Sequence, residues 1–118
     1  MIFTTMIGHQ QLVHQHVVYE VFLCTIQSDQ RKMTRFPLKL RDVYHGWLKR
    51  LEEHAFQQKT CVERELEQCG VRILNTRPKL GYREVKYLHQ DATYTNKLLN
   101  EWLKKECEQL FCSYTHLM

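Results

Sequence analysis

Seven histidines and five cysteines are the residues of this 118-residue chain whose types could ligate a metal or attack a carbonyl. His14 and His16 stand two apart, so on a strand they share a face and could chelate, whereas on a helix they point about 200° apart. His45 and His54 lie close to one direction of a helix but about two and a half turns from each other. No ligand cluster of recognised spacing appears, and no metal is expected. Cys24, Cys61, Cys69, Cys107 and Cys112 contain no CxxC pair. Cys69 and Cys107 fall on apolar stripes and Cys112 follows Phe111, places where a thiol serves as a small buried hydrophobe. Nucleophilic catalysis would need such a thiol beside a histidine and an orienting acid, a proximity that spacing does not supply. The glycines Gly8, Gly46, Gly70 and Gly81 are isolated, so no loop cradles a phosphate. The chain reads as non-enzymatic, with no catalytic residue and no cofactor.

Charge placement is the stronger signal. Arg31, Lys32, Arg35, Lys39 and Arg41 form an acid-free run, and Arg72, Arg77, Lys79, Arg83 and Lys86 stand against the single acid Glu84. If the second set lies on a hairpin between two helices, the order matches that of winged-helix proteins, whose hairpin tip lies along a phosphate backbone. The segment RPKLGYR would be that tip. A winged helix also needs short helices with a turn between them, and residues 38–69 show no strong break. Basic residues on an exposed hairpin otherwise serve as solvated guards of a strand edge. DNA binding is therefore the alternative reading, with those five residues as its contacts.

The large aromatics suggest a different role. Tyr44, Trp47, Leu51, Trp102 and Tyr114 lie on helical stripes, and a helix too long for its domain leaves apolar surface that a second copy could cover. Homo-oligomerisation through these residues is the expectation that goes with the non-enzymatic reading.

The elements that would carry these residues follow from periodicity. The stretch FPLKLRDVYHGWLKRLEEHAFQQKTCVERELEQCG, Phe36 to Gly70, places Leu40, Tyr44, Trp47, Leu51, Ala55, Gln58, Val62, Leu66 and Cys69 at steps of four, three and four, with only Gln58 polar. Pro37 suits a first turn and Gly70 a left-handed stop. A helix from Leu38 to Cys69 is about 48 Å long, far beyond the ~13 to 14 Å radius of gyration of a compact chain this size, unless it bends near Gly46 or Gln58. Residues 1–28 hold one charge, Glu20; their β-branched content leaves strand open, but their length and the steps Leu12, Val13, Val17, Val21, Ile26 favour a buried helix. Arg31 and Lys32 suit its negative end. Alternation at Val71–Thr76 and Tyr82–His89 predicts a two-stranded hairpin. Asp91 reads as the N-cap of a last helix with Tyr94, Leu98, Leu99, Trp102, Leu103, Cys107, Leu110, Phe111 and Tyr114 on its apolar face.

Composition bounds the rest. Hydrophobic residues make up 43% and charged residues 25%, an ordinary globular balance for one domain spanning residues 1–118. A net charge of +4 alone is weak support for nucleic acid. Scattered cysteines in odd number fit reduced thiols, and the polar residues interrupting the amino terminus exclude a secretory signal or a membrane span. The cytoplasm is the expected location, with no membrane association.

Asp29 closing a charge-poor first helix, Phe36, Pro37, Leu38, Lys39 and Leu40 with Tyr44 opening the second, the Gly70–Val71 junction, Tyr87 in the hairpin, and Tyr94, Asn96 and Tyr114 in the last helix together carry a likeness. From about residue 10 onward the chain resembles the YhjD-like proteins, a family of small uncharacterised proteins of Bacillus and relatives. The resemblance implies a cytoplasmic bacterial protein and brings no activity or catalytic residue with it; the richness in histidine and cysteine departs from the family pattern. The expected fold is α+β and mostly α: three helices, the central one long, with a two-stranded β-hairpin between helices 2 and 3. The expected function is macromolecular interaction as a homo-oligomer.

Overall fold

The computed structural model describes residues 2–35 and 39–115, with side chains over 8–35 and 39–114. Phe36, Pro37 and Leu38, including the expected first-turn role of Pro37, lie outside the described residues. Six elements follow in order: α1 (Ile2–Met33), α2 (Arg41–Gln68), β1 (Val71–Pro78), β2 (Tyr82–His89), β3 (Ala92–Leu99) and α3 (Asn100–Thr115). The charge-poor amino-terminal segment is helix, with Arg31 and Lys32 in its last turn as its negative end favours.

Helices α1 and α2 form an antiparallel pair. Val13, Val17 and Val18 share a core cluster with Val62 and Leu66, while Phe22, Leu23 and Ile26 share another with Leu48, Leu51 and Ala55. Numbers rise along one helix as they fall along the other, and each buried set recurs at helical spacing. The stripe of α2 is thus confirmed where it meets α1: Leu51, Ala55, Val62 and Leu66 are buried. Its end is a glycine stop. Gly70 has φ +73° and donates its N–H to the Glu67 carbonyl at 3.1 Å, while Cys69 N–H reaches Glu65 at 3.0 Å. The helix runs unbroken past Gly46 and Gln58. At 54 × 31 × 20 Å and a radius of gyration of 16.2 Å the molecule is elongated along its helices, beyond the roughly 13.5 Å of a compact chain this long.

The sheet corrects the expected fold. It has three antiparallel strands in the order β1-β2-β3, not two. The third occupies Ala92–Leu99, which periodicity assigned to the start of the last helix. Asp91 is not an N-cap: Gln90 and Asp91 have φ of 51° and 64°, and His89 pairs with Ala92 across them. Two consecutive left-handed residues make the mirror-image turn whose twist suits a tight hairpin. The β-branched Thr93 and Thr95 then favour the strand that β2 offers them. Leu98 and Leu99, adjacent members of a supposed helical face, point to opposite sides, the first buried and the second exposed. From Leu103 onward the expected helical face holds, with Leu103, Cys107, Leu110 and Tyr114 turned inward at steps of four, three and four, while Trp102 stays open.

Register fixes the two faces of the sheet. Val85, Tyr87 and His89 of β2 are buried, and their partners Thr76, Ile73 and Val71 on β1 and Asn96, Tyr94 and Ala92 on β3 share the helix-facing side. A bulge at Leu74 restores this alternation after Ile73. The opposite parity, Arg72, Asn75 and Arg77 with Leu88, Lys86 and Glu84 and then Thr93, Thr95 and Lys97, forms the outer side.

Candidate functional site

The histidines disperse once the helix forms. His14 points at the sheet, where its Nε2 lies 3.0 Å from Asn96 Oδ1 and its ring meets Trp102 edge-on at 6.1 Å. His16 points at α2, with Nε2 3.3 Å from Glu63 Oε1 and Nδ1 3.8 Å from Glu20 Oε2. Burial holds the His16 imidazole below its ordinary value; Lys59 adds to that, while Glu20 and Glu63 oppose it. His45 faces a surface pocket with Thr34, Arg41 and Asp42, whereas His54 packs edge-on against Tyr114 at 4.5 Å. Among the described residues no three His, Cys, Asp or Glu side chains come together as a metal site.

One histidine pair escaped the spacing argument. His9 of α1 and His89 of β2 are both buried and stack at 4.2 Å, with Tyr87 edge-on to His9 and stacked on Tyr94 at 5.3 Å. The signal was present in strand parity: Val85, Tyr87 and His89 alternate, so His89 follows two core residues onto the inner face. Its partner eighty positions away was not legible.

The thiols divide unevenly. Cys107 is half-buried, its Sγ donates to the Val18 carbonyl at 3.9 Å, and burial beside Glu106 and Glu108 pushes its thiol up to about 11. A thiol pushed up in this way stays protonated at neutral pH and packs as a small hydrophobe. Cys69 and Cys112, expected as buried hydrophobes, are exposed along with Cys24 and Cys61: Cys69 lies past the last buried turn of α2 and Cys112 on the solvent side of α3.

Grooves flank α3 on both sides. One of about 490 Å³ runs against α1 and is lined by His14, Gln15, Tyr19, Trp102 and Glu106. The other, about 410 Å³, is more apolar and includes Phe22, Leu103, Phe111 and Arg83. Arg83 therefore sits on the inner side of the sheet, apart from the other basic hairpin residues. Arg72, Arg77 and Lys86 are brought together on the outer side, and Lys79 stands at the tip beside the fully exposed Leu80. Lys97 joins the outer face from β3 opposite Glu84, a residue missed because its strand was read as helix.

The aromatic set is divided by the fold. Leu51 and Tyr114 are buried inside the chain, and Trp47 is half-buried with its ring edge-on to Phe111 at 5.1 Å. Tyr44 and Trp102 remain open, 43% and 38% exposed. Beside Tyr44 on the start of α2 lie Leu40 and Val43, both more than half exposed.

These features define a mostly helical α+β protein whose exposed features are surfaces and shallow grooves. No helix among the described residues is long and apolar enough to cross a membrane. The chain belongs to the YhjD protein family, which matches residues 7–118. No curated protein and no solved structure matches it.

Proposed function

We propose that the protein acts by binding a macromolecular partner, without catalysis, and that it self-associates through the exposed start of α2. The observation that carries this reading is an apolar stripe that outruns its core. Leu48, Leu51 and Ala55 bury against α1, but Leu40, Val43 and Tyr44, one to two turns earlier, stay open to water. Burying such a cluster against its own copy in a two-fold pair would remove apolar area from water at about 25 cal/mol per Å². Trp102, exposed on α3, is a second candidate contact. The exposed thiols fit a reducing compartment, and the reading places the protein in the cytoplasm.

Light scattering across micromolar concentrations tests it. An oligomer that Val43→Ser with Tyr44→Asp converts to monomer, without loss of helix signal, is the expected result. Leu51→Ala provides the contrast: filling the core from inside the chain, it should lower folding stability by about 2 to 5 kcal/mol. A wild-type monomer throughout that range removes self-association.

The alternative, DNA binding by a winged helix, fits this geometry poorly. A third strand flanks the hairpin, and α2 has no turn to set off a recognition helix. What still favours nucleic acid is the charge on the sheet.

A further inference from the structure

We propose that the outer face of the sheet is a binding surface for single-stranded nucleic acid. Arg72 and Arg77 of β1, Lys86 of β2 and Lys97 of β3 project from this one side, with Lys79 at the hairpin tip beyond them. Glu84 is the one acid on that face, and register sets it between Arg77 and Lys97. The chain has seventeen basic and thirteen acidic residues; these five bases and one acid leave twelve of each elsewhere. The face and its tip thus carry a net +4, a second basic concentration beside the acid-free run from Arg31 to Arg41. Nothing in the fold requires that partition, since the helices carry most of the charged residues and could have shared the excess.

The shape selects the polyanion. Successive outward rows of a strand lie about 7 Å apart and adjacent strands about 4.8 Å apart, so the cations form a broad lattice instead of a ridge. A major groove about 12 Å wide admits a helix or a two-stranded ribbon, and a third strand beside β2 makes this element too wide to enter. A single strand has no groove to be entered and can lie across the face. Tyr82, at the tip end of the same side, carries Lys97 Nζ 5.4 Å from its ring centroid. An aromatic ring beside cations is the combination on which single-stranded chains stack and neutralise their phosphates. Thr93 and Thr95 add hydroxyl donors along the β3 side.

The inference rests on reading the chain as a binding module and is independent of its self-association. Fluorescence anisotropy with labelled oligo(dT) and oligo(U), starting at about 50 mM salt, is the test. Binding should weaken steeply as salt rises. The triple variant Arg72→Gln, Arg77→Gln, Lys86→Gln should bind more than about tenfold more weakly and flatten the log–log salt slope by about 2, at roughly 0.7 per lost phosphate contact. The triple variant Lys49→Gln, Arg50→Gln, Arg64→Gln, exposed on α2 with the same change in net charge, should shift affinity less than about twofold. Should the face variant fail to fold by circular dichroism, single Arg72→Gln and Lys86→Gln substitutions, each flattening the slope by about 0.7, carry the same test. Absence of binding in the starting buffer overturns the proposal. So does equal loss in the α2 control, a duplex of the same length bound as tightly, or binding to phosphatidylglycerol vesicles with none to oligonucleotide. Light scattering on the same samples separates the two readings: a monomer that binds oligo(dT) removes self-association alone, and an oligomer that does not bind removes this inference alone.

Discussion

His9 and His89 stack ring on ring, centroids 4.2 Å apart and planes within 28°, between the start of α1 and the last residue of β2. This buried contact ties the amino-terminal helix to the turn end of the sheet, with Tyr87 and Tyr94 around it. Truncation there removes aromatic packing from a closed site. His89→Ala should lower the unfolding free energy by about 2 kcal/mol, and His89→Phe, which keeps a flat ring in place, by less. Urea melts of the two variants check the order; equal losses would mean that ring stacking does not matter there.

Acid should weaken the α1–α2 contact through His16. Its pKa is lowered in the folded chain because burial disfavours the imidazolium more than Glu20 and Glu63 favour it. The unfolded chain takes up that proton near the ordinary pH of about 6.5, so the contribution is complete above that value and is lost as pH falls through the lower folded pKa. Unfolding measured between pH 7 and 5 should show stability declining, with a smaller decline in His16→Gln.

Thiol chemistry should separate Cys107 from the rest. Cys24, Cys61, Cys69 and Cys112 are exposed, whereas the Cys107 thiol is half-buried and pushed up to about 11. Iodoacetamide at neutral pH should label the four exposed positions in the native protein, and peptide mapping should find Cys107 modified only after unfolding. Because its folded pKa is raised, the stability linked to Cys107 is present below the ordinary thiol value and declines as pH rises toward 11. Cys107→Ala should remove that alkaline decline.

The turn before β3 distinguishes strand from helix at the point where periodicity misled. Gln90 and Asp91 both occupy left-handed backbone. Replacing them by Asn and Gly, the pair this turn prefers, should stabilise the protein by about 0.5 to 1 kcal/mol in a thermal melt. A helix N-cap at Asp91 would give the opposite sign, since glycine there costs a few tenths of a kcal/mol.

Much of this architecture was legible in the chain. The stripe from Leu51 to Leu66, the stop at Gly70 and the alternation of Val85 and Tyr87 are local patterns, set by the repeat of a helix or strand and by the φ a glycine allows. These pointed to a long second helix and a hairpin without any knowledge of contacts, whereas helix over strand in residues 1–28, and with it the scatter of His14 and His16, was favoured by length and left for the fold to decide. The third strand was not legible, because Tyr94, Leu98 and Leu99 satisfy a helical repeat as well as a pleat, and only β2 as a hydrogen-bonding neighbour decides between them. The same decision brought Lys97 to the basic face, whereas Arg83 falls on the other side by the parity it shares with Val85 and Tyr87 on β2. Tertiary packing likewise buried Leu51 and Tyr114 while leaving Tyr44 and Trp102 in water. A periodic stripe states which residues can be covered, but how far the neighbouring helix reaches along it determines which ones are.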